Sequence, residues 1–141
     1  MRTAALALLT FLLWSCQPDK PEPAPAQDAL QRLTGGSSRT WRLQTLAIAG
    51  TTEPLPACRS DDRWTFRSDF SLTFQNPTTC TTDEPTPTTN GSFRFTNDNR
   101  FLTLSLGPTT EVREIIQLSN NLLVWSYIND EGKTTEETWI P

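Results

Sequence analysis

Apolar and polar residues alternate through most of the chain from Thr40 onward. The pattern is sharpest in Asp61–Phe74. There Trp64 and Phe66 share one face of a first run, and Phe70, Leu72 and Phe74 share one face of a second. Alternation with period two marks a half-buried β-strand. Ser68-Asp69 separates the runs, so the pair reads as a tight antiparallel hairpin. Upstream, Thr40–Thr45 opens a strand with Trp41 and Leu43 on one face. The apolar parity flips at Leu46 and Ile48, which predicts a bulge or a strand end. Downstream, Phe93 and Phe95 alternate with Arg94, and Leu102, Leu104 and Leu106 alternate with Thr103 and Ser105. Val112–Leu118 reads as a strand with Ile116 and Leu118 in phase and Ile115 out of it. Leu122–Ile128 is apolar on both parities, as in a strand covered on both sides, and Lys133–Ile140 is the last strand. Before them all, Asp28–Thr34 forms a short helical turn. Asp28 is its N-cap, Leu30 and Leu33 lie on one side, and Gly35 ends it.

The tally is about eight strands joined mostly by short turns, which makes neighbours antiparallel. Eight strands suffice to close a small barrel, either filled by side chains or holding one small ligand. The expected fold is therefore all-β, an eight-stranded antiparallel up-and-down barrel. Asn97-Asp98-Asn99, Asn120-Asn121 and Asn129–Gly132 supply turn chemistry. Asn76–Asn90, rich in Pro and Thr, is the longest polar stretch of the domain and is expected to be a functional or mobile loop.

Composition narrows the chemistry. The chain has 141 residues and a formal charge of −4. An acidic domain without a dense basic stripe is no candidate for nucleic acid. Histidine is absent. Its absence removes the commonest general base, the commonest metal ligand and every Ser-His or Cys-His nucleophile pair. The expectation is a protein that is not an enzyme, with no catalytic residue, no cofactor and no metal.

The N-terminus sets the compartment. Arg2 is followed by an apolar run from Ala4 to Trp14, the length of a signal peptide. The run ends in Leu13-Trp14-Ser15-Cys16, which resembles a bacterial lipobox. Residues 1–15 then form the signal peptide and Cys16 becomes the lipidated first residue. Residues 16–27, QPDKPEPAPAQ after the cysteine, form a Pro-rich tether that spans roughly 35 Å if extended. Residues 28–141 form the domain. With Gln17 after the cysteine, the expected location is the outer membrane, on the periplasmic face or at the cell surface.

Several constellations each have a bland reading. An exported chain with two cysteines left, Cys58 and Cys80, most simply pairs them. A Cys₂ metal site would need further ligands. The aromatic set contains Trp64, Phe66, Phe70, Phe74, Phe93, Phe95, Trp125 and Tyr127. Together with Leu72 these residues are candidates to line an apolar ligand cavity. The alternative is that they fill the core of a closed barrel. Asp61-Asp62, Asp83-Glu84 and Asp130-Glu131 read as solvated acids in turns, and Glu136-Glu137 point to opposite faces of a strand and so cannot act as a pair. Asn90-Gly-Ser92 fits a glycosylation pattern, but turn chemistry is the simpler reason for Asn-Gly.

The ordered set of motifs resembles the lipocalin-like lipoproteins of Bacteroidota-type bacteria. It comprises the lipobox, the tether, the Leu-containing turn before Gly35-Gly36 and Trp41, and Cys58 with Asp61-Asp62 before the aromatic hairpin. Gly91-Ser-Phe-Arg-Phe95 and Ile116–Val124 complete it. The resemblance implies a lipocalin-like barrel with Trp41 plugging one end. Function is then expected to be binding of a small apolar ligand in or at the mouth of the barrel. The alternative is a packed barrel acting as an interaction or accessory module of an outer-membrane assembly. Its partner would be an envelope protein contacted by the Asn76–Asn90 loop.

Overall fold

Alternate side chains of eight strands point into one shared interior, and the sheet they form closes on itself. The computed structural model describes residues 25–80 and 88–141. The signal peptide, Cys16, residues 17–24 and part of the Asn76–Asn90 loop lie outside the described residues. The strands are β1 (Ser38–Ile48), β2 (Thr51–Glu53), β3 (Arg63–Arg67), β4 (Ser71–Gln75) and β5 (Thr88–Thr96). They continue with β6 (Phe101–Leu106), β7 (Thr109–Leu118), β8 (Leu123–Ile128) and β9 (Thr134–Ile140). All pairings are antiparallel and follow chain order from β3 to β9. β1 pairs with both β3 and β9 and so closes an eight-stranded up-and-down barrel. The ninth, β2, is a short arm folded back on the end of β1.

One helix, α1 (Pro25–Thr34), covers one end. It starts earlier than Asp28. That residue instead sits in the first turn, where its charge suits the helix dipole and reaches Arg32 at 2.5 Å. Leu33 is fully buried and Leu30 packs beside it against the barrel core. The fully buried Trp41 seals this end by donating its indole Nε1–H to the Leu33 carbonyl at 2.9 Å. Arg39 adds a strap, donating to the carbonyls of Arg32 and Asn120.

The bulge expected in β1 is present. Its register against β9 shifts between Leu43 and Thr45, which keeps both Leu43 and Leu46 buried despite their odd spacing. The β3–β4 hairpin also forms, pairing Trp64 with Phe74 and Phe66 with Leu72. Phe70 departs from its expected place. It belongs to the turn, with φ +66° and 45% exposure, and only leans on Phe93 at 5.5 Å. The Asp69 carboxylate accepts from the backbone and hydroxyl of Ser71, which fixes a turn that includes Phe70.

Two further expectations are corrected. In β7, Ile115 packs on the core and Ile116 is exposed, because a register shift between Ile115 and Gln117 inverts the phase. Asn90-Gly91 is no turn but lies inside β5, where Asn90 accepts a hydrogen bond from the Thr73 hydroxyl. Gly91 is required there by close approach. A Cβ on it would sit 2.0 Å from the Ser105 carbonyl oxygen of β6. Double coverage of β8 holds for Leu123, Val124 and Trp125, whereas Ile128 is 65% exposed.

Cys58 and Cys80 form the expected disulfide, with Cα atoms 5.2 Å apart. It ties the 3₁₀ turn Ala57–Arg59 to the chain beyond β4. Closing a loop of this size is worth roughly 3 kcal/mol in the chain-entropy view.

Candidate functional site

The barrel is filled at the helix end and through its middle. Phe66, Leu72, Phe93, Leu102 and Leu104 are buried in one cluster. Above them lies a layer of indoles. Trp125 meets Trp64 and Trp139 edge to face at 5.8 and 5.4 Å. Such contacts add to the burial of the rings themselves. Trp64 of this layer lines a cavity of about 190 Å³ at the end opposite α1.

The cavity wall is mixed. Trp64, Phe74 and Leu106 give it an apolar side. Arg59, Asp62, Asn76, Glu111, Arg113, Tyr127 and Glu137 give it a polar one. Strand parity places most of these residues. Asp62 keeps phase with Trp64, Arg113 with Ile115, and Glu137 with Trp139 and the buried Thr135. Arg59 comes from the disulfide-tied 3₁₀ turn and reaches across the mouth.

Glu137 organises the polar side. It is 2% exposed and accepts from Arg59 at 2.9 Å, from the Tyr127 hydroxyl at 3.0 Å and from Trp125 Nε1 at 2.7 Å. Three donors compensate its burial. Arg59 also donates to Asp62 at 2.5 Å. Burial alone lowers the affinity of the Arg59 guanidinium for its proton, but the charges of Glu137 and Asp62 outweigh it and hold the pKa above its ordinary value. Desolvation pushes the Asp62 carboxyl up to about 6. Glu137 and Asp61 add to this shift, while Arg59 opposes it. Desolvation and then Glu137 likewise raise the Tyr127 hydroxyl above its usual range.

On the β7 side, Arg113 is nearly enclosed. It donates to the Glu111 carboxylate and lays its guanidinium 3.6 Å over the Tyr127 ring, a cation–π stack. Two buried polar atoms facing this cluster make no hydrogen bond among the described residues, Asp62 Oδ1 and Arg113 Nε.

Of the candidate ligand residues, Trp64, Phe74 and Tyr127 line the cavity, while Trp125 is buried behind it and bonded to Glu137. Phe66, Leu72 and Phe93 lie in the packed core below, Phe95 packs half-buried against Phe93, and Phe70 stands outside at a turn. The reading of the turn acids as solvated is corrected at Asp62. Asp62 is fully buried and Glu137 nearly so. The signal that finds them is phase with an indole two residues away.

Among the described residues, these features define a small, closed β-barrel with a helix over one end and a cavity at the other. A family model described as a lipocalin-like domain matches residues 34–125, and the chain belongs to that family. The fold is also that of a lipocalin-like protein from Bacteroides uniformis ATCC 8492. The two are 17% identical, with a TM-score of 0.54 covering 77% of this chain and 97% of that one. No curated protein matches the sequence.

Proposed function

We propose that this protein is a lipid-anchored, non-enzymatic binding protein that takes a small ligand at the open mouth of its barrel. The observation that carries the reading is the cavity of about 190 Å³ above the packed core, which serves as its floor. The floor limits depth, so the ligand is either small or bound by one end. The wall calls for an amphiphilic ligand rather than a wholly apolar one, because Arg59, Asp62, Arg113 and Glu137 face the same space as Trp64 and Phe74. Catalysis is disfavoured on chemical grounds. Glu137 is held by three donors, which occupy most of its acceptor capacity and fix it in place. The lipobox-like Leu13–Cys16 and the tether after it support attachment to the outer membrane.

Native mass spectrometry of the mature protein, purified from its own envelope, tests this. A stoichiometric small-molecule adduct, lost on mild denaturation, is the expected result. A clean apo mass overturns it in favour of an accessory module docking another envelope protein. That second reading is favoured by the filled lower barrel and by the exposed Val112, Ile116 and Ile128 on its wall.

A further inference from the structure

The barrel wall is not complete at the mouth. β7 and β8 pair from Leu118 opposite Leu123 to Glu114 opposite Ser126, and their ladder stops there. Beyond that point β7 continues to Thr109 paired with β6, and β8 continues to Ile128 paired with β9. The two strands therefore part, leaving a slit between residues 109–113 and 127–128. An outer cleft of about 620 Å³ lies along the slit. Glu111, Arg113 and Tyr127 line both this cleft and the inner cavity. The stack of Arg113 on Tyr127 is thus the partition between inside and outside. Immediately outside it stand Val112 and Ile128, 54% and 65% exposed, with Phe101 beside them.

Inside, two guanidiniums face three carboxylates, so the cluster holds one acid in excess. Arg59 serves Asp62 and Glu137, and Arg113 serves Glu111. An anionic head would add to this excess and have to displace a paired carboxylate, whereas a cationic head has no acceptor to offer Arg113 Nε. What the cluster still offers is one acceptor, Asp62 Oδ1, and one donor, Arg113 Nε. Unmade hydrogen bonds at buried atoms are costly, so a head that satisfies both gains most.

Resting on the binding reading above, we propose that the β7–β8 slit seats a single-chain amphiphile. Its uncharged head both donates and accepts hydrogen bonds inside, against Asp62 and Arg113. Its chain passes Tyr127 and lies outside on Val112, Ile128 and Phe101. The head end, not the chain, is the part that enters the barrel.

Calorimetric titration of the mature protein with monodecanoylglycerol, decanoate and decylamine tests both halves at constant chain length. The acylglycerol is expected to bind at least about tenfold more tightly than either ion. Equal or tighter binding of decanoate or decylamine overturns the head assignment. The double substitution Val112→Asp and Ile128→Asp changes only exposed side chains and is expected to weaken the acylglycerol about tenfold. An unchanged affinity, with an unchanged melting temperature, overturns the chain placement. A native adduct that none of the three probes displaces overturns the amphiphile while leaving ligand binding intact. Absence of both adduct and probe binding overturns the two together.

Discussion

At the scale of single residues, the open end is governed by acids that the core cannot tolerate unpaired. Their burial was legible in principle, because Glu137 keeps phase with Trp139 and Asp62 with Trp64. It was missed because acids are so seldom buried that composition argues for solvent. Asp62 gives this burial a measurable consequence. Its folded-state pKa is raised to about 6 from an ordinary 3.8, so the folded protein holds the proton more tightly than the unfolded chain. The associated stability is fully present below the unfolded value and is lost as pH rises through the folded one. A shift of this size corresponds to roughly 3 kcal/mol. The exposed Asp69 and Glu131 act in the opposite sense, since their pKa values are lowered and their contribution fades as pH falls. The comparison of wild type with Asp62→Asn separates the two effects. Urea unfolding should show wild type losing stability relative to the variant between about pH 4 and pH 7. Parallel curves for the two proteins would show that Arg59 keeps Asp62 ionised throughout.

At the scale of strands, parity was a sound guide wherever one apolar face was unambiguous. The flip after Leu43 announced the bulge in β1. The bulge near Ile116 went unseen because Ile115 and Ile116 are both apolar, so either phase reads equally well. Phe70 was misplaced for a related reason. A turn that consumes three residues leaves no trace in an apolar pattern that continues across it. Gly91 is the sharpest case, because an Asn-Gly pair signals a turn and here means close packing of β5 on β6. Its φ is not in the left-handed region, so the need is for space alone. Gly91→Ala should therefore push Ser105 away and cost about 1–3 kcal/mol, read as a lower urea midpoint. No change in midpoint would mean that the two strands can separate locally without loss.

At the scale of the whole molecule, eight strands and their antiparallel order could be counted from the chain, but closure could not. The pairing of β1 with β9 joins residues nearly a full chain apart and leaves no local signature. Nor could the division of the barrel into a filled end and an open one be read, since inward aromatics line both. That division carries a consequence for orientation. α1 begins at Pro25 on the sealed end, so a tether from Cys16 joins the domain on the side away from the mouth. An anchored protein would then turn its cavity outward from the bilayer, toward ligands in solution or on a facing surface. The proposed anchor would rest on Cys16, because acyl chains on that residue would gain about 0.8 kcal/mol per buried CH₂ and no single tether residue would replace them. Cys16→Ser should therefore abolish incorporation of labelled fatty acid and move the protein out of the outer-membrane fraction. If wild type takes up no label and already fractionates as soluble, the segment before Cys16 is an ordinary cleaved leader. The barrel would then work as a free carrier, with its slit open to solvent on every side.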